Sequence, residues 1–339
     1  MKRYKLFGAN FSRRTLMTSA MAGAFTVAAH PAAAQRCPPI PPARVKGPLV
    51  WMNMDQQDVD EAYDNDIYAF NTKNVLERQA ANNEIARLVV EKPMRVPYGP
   101  TEIERVDIYK TKGANAPVMI FIHGGSWRSG RSADFAVYAE PFVKAGANFV
   151  AIDFTNVRET NGDIFPMVDQ CRRAVSWTYR NAASFGGNAD QIYLCSRSSG
   201  SHLAGCVVTT EWNEQGLPLN ILKGGVFGSG MYDLKPVRLS LRSKFVRFTN
   251  EMEEQLSPQR HIDRIHTPLT LAVGSLETPE FQRQARDFAA ALEAAGKPVR
   301  LIIAKGYNHY EVGETIGNPY AVLGRAAMDM MGLNSVLEK

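Results

Sequence analysis

YLCSRSSGSHLAG, residues 193–205, is the stretch on which the rest of the chain turns. It begins in an apolar run, QIYLC (191–195), and passes through four serines into SGSHLAGCVV, which has helical spacing. A strand that turns at once into a helix can hold a nucleophile at its elbow, and that turn is so tight that the residues two before and two after the nucleophile must be small. Ser196 has Leu194 two before it, Ser199 has Arg197, and Ser201 has Leu203 two after it and lies inside the helix. Ser198 alone is flanked by small residues, Ser196 and Gly200, in the pattern S-x-S-x-G. Serine is also a common helix cap, so the cluster acquires its weight from its surroundings.

Around it the chain alternates. Apolar runs rich in β-branched residues stand at 118–123, 148–154, 191–195, 222–228, 269–274 and 299–304, with helical patterns between them at 134–145, 165–184, 199–211, 280–295 and 316–331. Strands alternating with helices predict an α/β fold with a mostly parallel sheet covered on both faces, which is why the strands are almost continuously apolar. VLERQAANNEIARLV, within 55–90, predicts an amphipathic N-terminal helical arm. The charged stretch 235–267 breaks the alternation and is expected to form a small cap over the carboxyl edge of the sheet, where such folds place their sites.

The residues just after each strand are therefore the ones to inspect. HGGSW (123–127) follows the first run, and its glycines allow a sharp turn with outward amides, an oxyanion hole formed by Gly124, Gly125 and Ser126. The Ser199 amide, at the start of the helix after Ser198, completes it. A serine needs a base, and few histidines compete for that role. His123 belongs to the oxyanion turn, His202 lies one turn into the helix as a packing residue, and His261 and His266 precede the run at 269–274. His309, in KGYNHYEV after the last strand, is the base. The acid that orients it is expected between serine and histidine in chain order. Glu277, in VGSLETPEF, fits best; Asp233 is the competitor and Glu280 begins the next helix. Trp127, Arg197 and Tyr232 are candidate walls of the substrate pocket.

Composition limits the alternatives. The 339 residues are 45% hydrophobic and 22% charged, as in a soluble globular protein. Residues 1–34 resemble a twin-arginine export signal, with SRRTLM at 12–17 and cleavage expected after Ala34, and a Pro-rich linker follows to about residue 50. A periplasmic or secreted protein is expected. The signal carries five basic residues and no acid, so the remaining 34 basic residues (39 less 5) balance 34 acids, and neither nucleic acid nor membrane is an expected partner. Cys37, Cys171, Cys195 and Cys206 show no metal-binding spacing and read as buried free thiols, although an exported protein could pair two of them. No cofactor is expected.

The motifs HGGSW, SRSSGSHLAG (196–205), SGMYDLKPV (229–237), LETPEFQRQ (276–284) and YNHYEV (307–312) together resemble the α/β-hydrolase superfamily, and within it the esterase branch of kynurenine formamidase-like and feruloyl- or acetyl-esterase-like proteins. The resemblance covers about residues 51–333. It implies an α/β-hydrolase fold and two-step acyl transfer, with Ser198 as nucleophile, His309 as base and Glu277 as orienting acid. Departures are Ser196 for the usual Gly, Arg197 for the usual His or similar residue, and Ser199 for the usual Ala. The function this implies is hydrolysis of a carboxylic ester of a small or aromatic substrate. Arylformamidase, amidase or lactonase activity are alternatives, and a catalytically silent binding protein is the alternative from another class.

Overall fold

The computed structural model describes residues 44–333. The expected export signal, Cys37 and most of the Pro-rich linker lie outside the described residues. A short antiparallel pair, β1 (Leu49–Trp51) and β2 (Met54–Asp55), precedes an eight-stranded sheet. The sheet comprises β3 (Met94–Pro97), β4 (Arg105–Tyr109), β5 (Ala116–Ile122), β6 (Asn148–Ile152), β7 (Gly187–Arg197), β8 (Gly224–Gly228), β9 (Leu269–Gly274) and β10 (Val299–Ala304). Its spatial order is β10-β9-β8-β7-β5-β6-β4-β3. From β10 through β6 all pairings are parallel, and β4 and β3 are antiparallel additions at one edge.

Among the described residues ten α-helices accompany the strands: α1 (Gln56–Glu61), α2 (Thr72–Val89), α3 (Ala136–Lys144), α4 (Phe165–Asn181), α5 (Ser199–Val208), α6 (Leu234–Leu239), α7 (Asn250–Gln255), α8 (Pro279–Ala294), α9 (His309–Glu314) and α10 (Val322–Met331). None among the described residues is long and apolar enough to cross a membrane.

The central strands show why both faces are covered. Along β5, Val118, Ile120 and Ile122 enter one core while Met119 and Phe121 enter the other, all fully buried. β6 repeats the pattern, with Val150 and Ile152 on one side and Phe149 and Ala151 on the other. Successive side chains of a strand face opposite ways, so a sheet between two helical layers buries every residue, and its strands lose the polar alternation of a half-exposed sheet. Phe121 has ring contacts with Phe135, Tyr138 and Phe149 at 5.3, 5.2 and 5.8 Å between centroids. Cys171, Cys195 and Cys206 are free and buried, and burial pushes the thiols of Cys195 and Cys206 up to about 12.

Candidate active site

Strand β7 carries the chain straight into α5, and Ser198 sits at the junction with φ 55° and ψ −131°, a region that non-glycine residues rarely occupy and that costs on the order of 1–3 kcal/mol. Backbone and side-chain hydrogen bonds hold it there. The Ser198 amide donates to the Gly228 carbonyl at 2.8 Å, and Ser201 Oγ donates to the same oxygen at 2.8 Å. Ser196 Oγ lies 3.0 Å from Ser201 Oγ, so three of the four serines brace the elbow of β7, β8 and α5. The chain also packs too closely here for larger residues. A Cβ on Gly200 would stand 2.3 Å from the Ile122 carbonyl oxygen and 2.4 Å from that of His123.

Three strand ends bring the polar groups together. His309 Nε2 is 2.9 Å from Ser198 Oγ, and His309 Nδ1 is 2.7 Å from Glu277 Oε2. A carboxylate only accepts hydrogen bonds, so Nδ1 carries the proton and Nε2 is left to accept from the serine hydroxyl. Glu277 is 2% exposed, and its other oxygen accepts from Ser229 Oγ and from the Gly274 amide, both at 2.6 Å. The loop after β9 lies against the loop after β10, with the Leu276 amide donating to the Tyr307 carbonyl at 3.0 Å. His309 opens α9, whose cap Asn308 accepts from the amides of Tyr310 and Glu311 while Glu311 accepts from the Asn308 amide. The imidazole is thus fixed by a capping box.

Asp233 and Glu280, the other acids considered, are occupied elsewhere. Asp233 caps α6 through the Lys235 amide and lies 3.6 Å from Arg260, and Glu280 pairs with Arg283 at 2.6 Å and accepts from Tyr63. The other buried histidines are structural. His123 stacks on Phe154 with centroids 4.2 Å apart, and desolvation lowers its pKa. His202 accepts from Trp127 Nε1 at 3.2 Å, its Nε2 lies 2.8 Å from the Leu256 carbonyl, and burial drives its pKa down to about 4.

The turn after β5 has three consecutive residues with positive φ, Gly125 at 117°, Ser126 at 55° and Trp127 at 59°. The Trp127 amide donates to Ser199 Oγ at 3.1 Å, which ties the turn to the elbow. Among the described residues the amides of Gly124, Gly125, Ser126 and Ser199 have no acceptor within the protein. Gly124, Gly125 and Ser126 border a cleft of about 770 Å³ together with Ser198, His309 and Arg197.

Two pocket expectations are corrected. Trp127 is 2% exposed and lies edge-on to His202 and Phe248, and Tyr232 is 1% exposed and stacked on Phe288 at 4.2 Å; neither lines the cleft. Large rings lose most by staying wet, and both have core neighbours to cover them. The far wall of the cleft instead comes from α2, with Leu76, Gln79, Ala80, Asn83 and Glu84. The 235–267 stretch flanks the oxyanion turn, where Phe245 lies under the Arg128 guanidinium at 4.3 Å. Helix α2 is fastened across the base helix: Asn71 Nδ2 donates to Glu311 Oε1, Asn308 Nδ2 donates to Asn71 Oδ1, each at 2.7 Å, and Arg78 pairs with Glu314 at 2.6 Å.

Ser229, Asn71 and Asn308 have site contacts that residue spacing does not expose. Ser229 has φ 54° at the end of β8, and its position directly after a strand was the available signal. Among the described residues no group of three or more His, Cys, Asp or Glu residues could hold a metal ion.

Comparison with known proteins agrees with this architecture. The BD-FAE family model matches residues 106–229. The kynurenine formamidase of Danio rerio is 30% identical over 259 residues, covering 74% of this chain and 86% of its own length. A solved structure from Silicibacter sp. TM1040 has a TM-score of 0.68 at 22% identity, covering 79% of this chain and 97% of its own. The native structure of the Est2 esterase of Thermogutta terrifontis has a TM-score of 0.55 at 20% identity, covering 73% and 90%. The chain is a hydrolase and belongs to the esterase branch of the α/β-hydrolase superfamily, the branch that includes the kynurenine formamidases.

Proposed function

We propose that the protein is an exported serine esterase that cleaves a carboxylic ester of a small or aromatic substrate through Ser198, His309 and Glu277. The observation that carries this reading is the unbroken hydrogen-bond relay from Ser198 Oγ to His309 Nε2 (2.9 Å) and from His309 Nδ1 to Glu277 (2.7 Å) at the edge of the cleft. In the first step Ser198 Oγ bonds to the substrate carbonyl carbon while its proton passes to His309 Nε2. Glu277 stabilises the resulting imidazolium, and the amides of Gly124, Gly125, Ser126 and Ser199, which have no acceptor among the described residues, serve as donors to the oxyanion. His309 then protonates the departing alcohol as its bond to carbon breaks, leaving an acyl-serine. Water repeats the sequence with His309 as base, releasing the acid and restoring the serine.

A fluorophosphonate probe and p-nitrophenyl acetate test the assignment. Wild-type protein should be labelled on Ser198 and should turn over; label on another serine, or undiminished turnover by Ser198→Ala, would refute it. The 30% identity to a kynurenine formamidase supports aryl formamides as a second substrate class with the same acyl transfer, and a panel of short-chain, feruloyl and aryl formyl substrates separates the two. The export reading rests on SRRTLM and Ala32-Ala33-Ala34. Fractionation of cells expressing the full chain should place it outside the cytoplasm, and Arg13→Lys with Arg14→Lys should retain it there; export unaffected by both changes would refute this route.

A further inference from the structure

Arg197 stands immediately before Ser198, and its side chain lacks what buried guanidinium groups normally have. It is 9% exposed, and among the described residues its polar contacts are Nη1 to Gln79 Oε1 at 3.2 Å and to Tyr138 Oη at 3.4 Å, both uncharged. Nε is buried with no acceptor. The surrounding acids are committed elsewhere: Glu314, whose charge also reaches Tyr138, is held by Arg78 at 2.6 Å, Glu277 by His309, and Glu311 by Asn308 and Asn71. Of the acids along the cleft, Glu84 lies 3.6 Å from Arg87 and Asp134 accepts from the Arg131 amide. A buried cation with no anion is among the most costly groups a fold can keep.

The fold nevertheless makes room for it. A Cβ on Gly313 would stand 2.4 Å from Arg197 Nε and 2.6 Å from Cζ, so any other residue there would displace the guanidinium. Gly313 is four residues after His309 on α9 and therefore on the same face of the helix. The helix that supplies the imidazole also supplies the seat for the cation, and Arg197, Ser198 and His309 all border the same cleft.

We infer that Arg197 is a specificity residue that binds a carboxylate on the substrate, and that the preferred esters are anionic. Guanidinium groups pair with carboxylates by charge-assisted hydrogen bonds and stay charged when buried. The substrate would provide the anion that the free protein withholds. This inference rests on the serine-hydrolase reading of the same cleft, so binding and turnover are measured separately.

Calorimetry on the Ser198→Ala protein with benzoate and with benzamide reads binding without chemistry. Benzoate should bind at least about tenfold more tightly. Arg197→Met should erase that difference and Arg197→Lys should keep part of it. Equal binding of the two ligands, or a benzoate preference that survives Arg197→Met, would overturn the inference, and the first comparison needs no change at position 197. Steady-state kinetics of the wild type on phenyl acetate, 3-acetoxybenzoate and monophenyl succinate should give at least one carboxylated ester a kcat/KM about tenfold or more above phenyl acetate, expressed mainly in KM. A preference for phenyl acetate over both would also overturn it. Absence of turnover on all three with benzoate binding intact would count against the hydrolase reading alone.

Discussion

Replacement of Glu277 by glutamine tests the relay most directly, because all three groups around its carboxylate are donors. Ser229 Oγ and the Gly274 amide approach one oxygen at 2.6 Å, and His309 Nδ1 approaches the other at 2.7 Å. Glutamine offers one acceptor oxygen and one donor NH2. If the NH2 faces Gly274, two donors oppose each other, because a backbone amide cannot reverse, and the lost charged hydrogen bond costs about 1.5–3 kcal/mol. If the NH2 faces His309, Nδ1 must accept, the ring proton moves to Nε2, and the imidazole can no longer take the Ser198 proton. The second arrangement needs only a change of tautomer and should prevail. A base held in the wrong tautomer lowers kcat by about 10⁴ in the serine protease precedent, or about 5.4 kcal/mol of barrier. Turnover of p-nitrophenyl acetate by Glu277→Gln should fall on that order, with circular dichroism and the unfolding midpoint close to wild type. A loss smaller than about tenfold in a folded variant would show that Glu277 does not orient His309.

Other substitutions test the supporting structure. Ser229→Ala removes one of the two donors on Glu277 Oε1 and should lower kcat about tenfold or more with little change in stability; an effect below about twofold would detach Ser229 from the site. Gly200→Ala places a methyl against two backbone carbonyls at 2.3 and 2.4 Å, so urea unfolding should register a loss of at least about 1–3 kcal/mol together with reduced fluorophosphonate labelling; normal stability would mean that α5 can shift freely. His202, buried with a pKa lowered to about 4, stays neutral in the fold but charges in the unfolded chain, so its contribution is complete above about pH 6.5 and is lost as pH falls toward 4. The drop is roughly 3 kcal/mol. Denaturant midpoints between pH 7 and pH 4.5 should fall more steeply in the wild type than in His202→Gln, and parallel curves would refute the assignment.

The parallel strands were legible in the sequence because a strand covered on both faces is apolar throughout, as VMIFI and LTLAV are. Ser198, Glu277 and His309 could be singled out because each directly follows such a run, and the structure brings them within hydrogen-bond distance. β3 and β4 escaped notice because RVDIY breaks its apolar pattern with Asp107, which is buried but satisfied by Arg95 at 2.8 Å and Ser132. That pairing depends on residues distant in sequence. The same limit hid the wall formed by α2, whose polar face reads as solvent-exposed until Asn71, Arg78 and Asn83 find their partners. Trp127 and Tyr232 follow strand ends like true site residues, and only their packing partners reveal that they turn inward.

The bridge between α2 and α9 has a consequence for the order of folding. Asn71 and Glu311 are separated by 240 residues, so the bridge joins two segments that lie far apart along the chain. Closing so long a loop carries a large entropy cost before any contact is returned, which favours late formation over early. A nascent chain still lacking α9 would have the elbow, the oxyanion turn, the unpaired Arg197 and α2 bonded to Ala133 and Val137, but no base and no bridge across the cleft. Hydrolytic competence should therefore arise only after α9 has been synthesised, when one docking event completes the relay and ties α2 to the base helix.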